Sequence, residues 1–475
     1  MKRIVSVLTA FSMALILAAC GNGTDETTTP GVDDTTNPPE QTTEAPDETP
    51  DETPDETPDE TDPPTETDEV VEGITAEITV QAEEGWADYY RTAIDRVLEA
   101  NPDATITLIE VASFDHLDTI DNTSSLNEDV ADLFAIPADR LYGLHNNDVL
   151  MPVDSQALAA KLGGWDDFDA GIGGNFNIDG EYFAFPYNIE TLILFANTVH
   201  AEEEDIDLTS PVELNDYDDN EILLPLFDTW FGVAATNSSN IELLGRNDDG
   251  TLFSDLTLDW ADLPSEKQAT IEAVYEYWED NHDENTSLFD ADAGWAYIDG
   301  EMTTGQGESV LRLGGPWDTA AIIEQVGEGN LEVLPISYVT LAGKPLKHWQ
   351  GGWGLALNAR IEGDDDKVAL AEAVIAEIVN PEFAVELFEA TGKILENVAA
   401  NVYAESSLSD TDKAVIDAVI TSYADAPARP LFQEWGSVWD TWKNGVLSWN
   451  TVDPDSVEEA YAELQASFNA MMANY

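Results

Sequence analysis

Thirteen tryptophans stand in a chain of 475 residues, and many lie beside turn-forming or polar residues instead of inside apolar runs. Trp86 follows Gly85, Trp230 comes two residues after Asp228, Trp317 follows Gly315-Pro316, and Trp353 sits between Gly352 and Gly354. Trp435, Trp439, Trp442 and Trp449 crowd the C-terminal region. Core packing is the default for any one indole. Several indoles on turn-like segments, next to carboxylates and amides, offer flat apolar walls with a polar rim. The C–H face of a pyranose lies on such a wall, and its hydroxyls take the rim. The pattern predicts a sugar groove.

Other chemistries find less material. The five histidines, His116, His145, His200, His282 and His348, have no zinc-ligand spacing, and no His-Glu-x-x-His is present. There is no Gly-x-Ser-x-Gly elbow and no Walker or dinucleotide glycine pattern after the first strand. Gly351-Gly352-Trp353-Gly354 puts a bulky indole where a phosphate loop needs bare backbone. Asn247-Asp248-Asp249-Gly250 lacks the alternating ligands and closing Glu of an EF-hand. Neither a cofactor nor a metal is expected. Among so many carboxylates a pair at glycosidase spacing stays open, but no particular pair is singled out.

The elements that must position these residues read as α/β. Glu77–Gln81 is expected as a strand, and Trp86–Ala100 as a helix with Tyr90, Ile94, Val97 and Leu98 on one face, stopped at Asn101-Pro102. Thr105–Val111 follows as a strand, and strand–helix–strand favours a parallel pair. Asp132–Ile136, Ser309–Leu313 and Leu331–Pro335 read as strands, Phe183–Tyr187 as a short extended run, and Thr191–Ala196 as a further apolar run. Lys367–Val379, Pro381–Thr391 and Val457–Met471 read as helices.

The N-terminal end carries an address. Lys2 and Arg3 precede an apolar run from Ile4 to Ala19, too short for a stable membrane span and suited to a secretory signal. The ending Leu17-Ala18-Ala19-Cys20 resembles a bacterial lipobox, which implies cleavage before Cys20 and lipid on that residue, the only cysteine in the chain. Residues 24–72 hold no Lys or Arg and repeat Asp-Glu-Thr-Pro, so residues 21–73 are expected as a disordered tether that reaches at most roughly 170 Å. Residues 74–475 should be globular. Beyond residue 72 the chain still has 78 acids against 15 bases, which argues against nucleic acid or anionic lipid as a partner. The acids are scattered, and their self-repulsion points to a saline habitat.

In its lipobox, its acidic tether and an ordered series of motifs from about residue 77 to 470, the chain resembles extracellular solute-binding lipoproteins of ABC importers, and within them maltodextrin-binding proteins. The motifs are Ala138-Asp139-Arg140 with Val149-Leu150-Met151-Pro152-Val153, Asp179-Gly180-Glu181 through Ala184-Phe185-Pro186 to Glu190, Gly315-Pro316-Trp317, and Leu334-Pro335 through Gly343-Lys344-Pro345 to Asn358. The resemblance implies an α/β, two-lobed periplasmic-binding-protein-like fold with a hinge and a ligand cleft between the lobes. Lobe one would be about 74–188 and 354–400, and lobe two about 189–352 and 401–475. It implies Asp139, Arg140 and Glu190 on sugar hydroxyls, and Trp230, Trp317, Trp353 and Trp439 stacking on rings. Asp228, Glu84 and Trp86 join the candidate ligand-binding set. The chain departs from the family where Ile136 and Pro137 precede Asp139-Arg140 in place of an aromatic. The implied protein is a monomer, not an enzyme, held through Cys20 on the outer face of the bacterial cytoplasmic membrane, with an oligosaccharide ligand and permease subunits as partners. A polyamine, peptide or polyol receptor, a tethered glycan hydrolase and a surface adhesin are the alternatives.

Overall fold

The first strand–helix–strand unit forms as its periodicity demands. Strands Glu77–Ala82 and Thr105–Glu110 pair in parallel, in register from Glu77 with Thr105 to Ala82 with Glu110. The helix between them, Ala87–Ala100, buries Tyr89, Tyr90, Ala93, Ile94 and Val97. Leu98, expected on the same face, is only half-buried. Asn101 ends the helix: its amide Nδ2 donates to the Val97 carbonyl, and its Oδ1 accepts from Ile74 N, each at 2.9 Å. The computed structural model describes residues 73–475 except Asp166, Asp219, Asp248 and Glu328. The expectations for Cys20 and for residues 21–72 lie outside the described residues, as does Asp248 of the Asn247–Gly250 segment.

Two sheets organise the described chain. The first runs in the order Thr105–Glu110, Glu77–Ala82, Leu133–Pro137, Gly351–Asn358, Leu150–Met151, with Phe185–Glu190 also paired to Gly351–Asn358. The second runs Ile222–Leu223, Leu311–Gly314, Ile193–Asn197, Leu331–Pro335. The chain passes from the first sheet to the second between Glu190 and Ile193 and returns at Gly351. Two isolated bridges, Ile189 with Ile394 and Gln350 with Ala428, tie later segments to these crossings.

The strand Gly351–Asn358 was not legible as one, because its start is glycine-rich. All eight of its residues are buried. The glycines answer to close packing: a Cβ on Gly352 would lie 1.9 Å from Ile172 Cδ1 and 2.2 Å from the Asn188 carbonyl oxygen. The pairing with Phe185–Glu190 slips between Trp353 and Gly354, leaving Tyr187 as an extra residue. A bulge of this kind re-aims side chains and often borders a site.

The core packed against the second sheet is aromatic. Trp278, Trp442 and Trp449 are fully buried, on the helices Ser265–Asp283 and Val438–Val452. Their indole N–H groups are satisfied: Trp442 donates to the Leu226 carbonyl at 2.8 Å and Trp449 to that of Ala460 at 2.9 Å. These tryptophans are structural. The others divide differently.

Candidate functional site

A cavity of about 530 Å³ opens between the two sheets, lined by Trp86, Trp230, Trp317, Trp353, Trp439, Phe114, Pro137, Glu83, Asp139, Arg140, Glu190, Lys393 and Arg429. Its size falls within the range of small-molecule sites. Much of its first wall lies at the carboxyl ends of parallel strands, where open α/β sheets bind ligands. Glu83 follows the strand Glu77–Ala82, and Asp139 and Arg140 follow Leu133–Pro137 on a single 3₁₀ turn. Glu190 ends the strand Phe185–Glu190, and its Oε2 accepts from Trp353 Nε1 at 3.1 Å. Phe114 packs edge-on against Trp353 at 5.3 Å.

The opposite wall is a cluster of indoles. Trp230 lies 6.5 Å from Trp317 and 6.3 Å from Trp439, centroid to centroid. Behind it sits His348, wholly buried, whose Nε2 donates to the Trp230 carbonyl at 2.9 Å. Burial lowers its pKa to about 3, so it is a neutral structural imidazole. Trp317 rides the turn Pro316–Asp318 and is 51% exposed. Gly315 makes room for it, since a Cβ there would come within 2.2 Å of the indole.

Six charged side chains share the lining, three of each sign, in a chain with 97 acids and 17 bases. Arg140 is paired with Asp121, and Arg429 with Asp139 at 3.0 Å. The Arg429 guanidinium also lies over Trp230, Trp349 and Trp439, at 5.0, 5.4 and 5.9 Å from their centroids. The Lys393 ammonium lies among Trp353, Trp86 and Tyr187, at 4.9, 5.1 and 5.8 Å. Its burial lowers the lysine pKa, and the nearby charges of Glu190 and Glu83 oppose that shift.

Of the ten candidate ligand-binding residues named from sequence, eight meet on this cavity: Trp86, Asp139, Arg140, Glu190, Trp230, Trp317, Trp353 and Trp439. Two do not. Glu84 is exposed on the turn Glu84–Trp86, and its neighbour Glu83 lines the cavity instead. Asp228 is the N-cap of the helix Thr229–Ser238, its Oδ1 accepting from Trp230 N at 3.0 Å. Burial raises the pKa of that carboxyl. It positions Trp230 and does not itself line the cavity. Sequence reading missed Phe114, Lys393 and Arg429. Each sits in a segment whose sequence carries no motif, and only the fold brings them to the cleft. Among the described residues no group of acidic, histidine or cysteine side chains is arranged to hold a metal ion.

The bacterial extracellular solute-binding protein family matches residues 92–415, and the chain belongs to that family. The assignment makes it an extracytoplasmic solute-binding protein. The maltodextrin-binding protein of Bacillus subtilis is 23% identical over 384 residues, which cover 76% of this chain and 82% of that one. The maltose-binding protein of Listeria monocytogenes, solved with maltose, superposes with a TM-score of 0.65 at 18% identity, over 84% of this chain and 99% of that one. A Streptococcus pneumoniae protein solved with maltopentaose superposes with a TM-score of 0.62 at 17% identity, over 83% and 99%. The fold is therefore the two-lobed α/β fold of solute-binding proteins.

Proposed function

We propose that this protein binds a maltodextrin-type oligosaccharide outside the cytoplasm and delivers it to the permease subunits of an ABC importer. The observation that carries the reading is the gathering of five indoles and a charge-balanced rim on one cavity. Indole faces suit pyranose rings, and paired charges suit hydroxyls, which both donate and accept. The ligands in the names of the similar proteins point the same way. In this reading Asp139, Arg140 and Glu190 hold hydroxyls, and Trp230, Trp317, Trp353 and Trp439 stack. The lobes, about 74–188 with 354–400 and about 189–352 with 401–475, close on the ligand because a sugar touching both shifts the population toward the closed form. Lipid on Cys20 and the tether 21–73 hold the domain, as a monomer, at the outer face of the membrane. The protein carries its sugar unaltered and is not an enzyme.

A cationic ligand is disfavoured by a specific observation. The aromatic boxes that would recognise an ammonium group already hold the protein's own Lys393 and Arg429. Thermal-shift screening of the domain from residue 74 against maltose, maltotriose, maltotetraose and spermidine, in low and high salt, tests the reading. A maltodextrin shift that persists in salt is the expected result. A spermidine shift lost in salt, or silence from every sugar, would overturn it. Release of new reducing ends on long incubation would point to a hydrolase.

A further inference from the structure

A second cavity, of about 350 Å³, shares Trp230 and Trp317 with the cleft. Its other walls are built like those of a binding site. Phe231 and Trp295 form an aromatic corner, with ring centroids 5.0 Å apart. Arg312, only 4% exposed, donates from Nη1 to Asp299 Oδ1 at 2.8 Å and to Gln325 Oε1 at 3.4 Å. The Arg312 Nε and the Trp230 Nε1 have no hydrogen-bond partner. Buried donors are rarely left in that state. The nearby Asp318 carboxylate accepts from Gly315 N at 2.9 Å, which ties the cavity wall to the turn carrying Trp317.

The chemistry of this cavity selects its occupant. Arg312 is paired with Asp299, and Asp318, the second carboxylate of the lining, accepts from Gly315 N, so each charged group there is already engaged within the protein. An apolar corner beside fixed polar groups suits a polyhydroxylated ring. The volume lies near the lower end for ligand pockets, enough for one unit and not for a chain. Trp317 is half exposed and borders both cavities. A ring placed beside Trp295 therefore leaves the line of a chain running along the cleft, and a branch is the covalent arrangement that fills both spaces at once.

We propose that this side cavity is a subsite for a single branching sugar unit, so that the protein favours a branched oligosaccharide over its linear isomer. The proposal rests on the carbohydrate reading above. Calorimetric titration of maltotetraose and of maltotriose carrying one α-1,6-linked glucose on its middle unit compares two isomers of equal size. The branched isomer is expected to bind about tenfold tighter, the scale of one added aromatic contact. Ala321 is an exposed residue of the helix Thr319–Val326 that borders the side cavity and not the cleft. Ala321→Phe should fill the cavity, erase the preference and leave maltotetraose affinity unchanged. Trp295→Leu, checked for folding by its melting curve, should erase it as well. Equal affinities for the two isomers, or a preference untouched by Ala321→Phe, would overturn the proposal while leaving the carbohydrate reading standing. Failure of both sugars to bind the folded protein would overturn both.

Discussion

Arg429 Nη2 lies 3.0 Å from Asp139 Oδ2, joining the indole cluster of one lobe to the strand end of the other. The arginine is nearly buried and the aspartate is not, so the guanidinium holds the carboxylate in place at the cavity wall. Both also border a further cavity of about 350 Å³ that contains Leu431, Phe432 and Trp435. The pair thus acts as a crossbar between two parts of the groove.

Removing the guanidinium should free Asp139 and take away its orientation. Arg429→Met keeps apolar bulk against Trp230, Trp349 and Trp439 but loses the ion pair. Sugar affinity is expected to fall about tenfold, in line with one charge-assisted hydrogen bond of about 1.5 kcal/mol or more. Arg429→Lys should not restore it, because a lysine ammonium lacks the planar fork that lies over three indoles and still reaches the carboxylate. Calorimetry on both variants checks this. Full affinity in Arg429→Lys would mean that charge alone suffices.

Trp317 offers a cleaner separation of binding from folding. It is the most exposed indole of the cavity and contributes little to the core. Trp317→Ala should weaken sugar binding by about tenfold or more, on the scale of a lost aromatic contact near 1.4 kcal/mol. The melting temperature without ligand should move little. Unchanged affinity with intact folding would remove Trp317 from the site.

The indole positions were legible in the sequence because a tryptophan beside Gly or Pro departs from core periodicity. Trp86, Trp317 and Trp353 all reached the cavity on that signal. The same signal does not separate Trp439 from Trp442, three residues on along one helix, which is fully buried. Facing direction there depends on how the helix docks. The strands at Glu77–Ala82, Thr105–Glu110 and Leu331–Pro335 followed from branched residues at strand spacing. The central strand Gly351–Asn358 did not, since its glycines reflect contacts with Ile172 and Asn188, far away in sequence. The sequence does not separate Glu83 from Glu84, since a one-residue difference at a strand end flips the side chain to the other face.

Lys393 belongs to the part that only the fold reveals, and its role is open to direct test. Its ammonium makes no ion pair within 4 Å among the described residues, although it faces the cavity with Glu190 and Glu83 nearby. An ammonium half-buried among indoles without a close partner is costly, and sugar hydroxyls would supply acceptors. Lys393→Met preserves the stem among Trp86, Tyr187 and Trp353 and removes the charge. Affinity for the sugar should drop several-fold, by about 1 kcal/mol for one lost hydrogen bond, and the protein should become more stable without ligand. Calorimetry and a denaturant melt give both numbers. A loss of stability with affinity unchanged would make the lysine structural.

His348 gives the fold a pH dependence whose sign can be worked out. Its folded pKa of about 3 lies below the ordinary 6.5, because burial and the Arg429 charge disfavour the imidazolium. The hydrogen bond to the Trp230 carbonyl opposes this only in part. As pH falls below 6.5 the unfolded chain takes up this proton and the folded chain does not. Stability is therefore lost progressively from pH 6.5 downward until the folded imidazole also titrates. Between pH 7 and pH 4.5 the loss attributable to His348 is about 2.5 kcal/mol. Carboxyls such as Asp228, whose folded pKa is raised, act in the opposite direction, and His116, lowered to about 4, acts in the same one. Both contributions are common to the parent protein and to His348→Gln, in which an amide can still donate to the Trp230 carbonyl. Denaturant melts of the two proteins at pH 7 and pH 4.5 isolate the histidine. The variant should lose about 2.5 kcal/mol less than the parent over that interval, and equal losses would mean that His348 is already reached by solvent in the folded state.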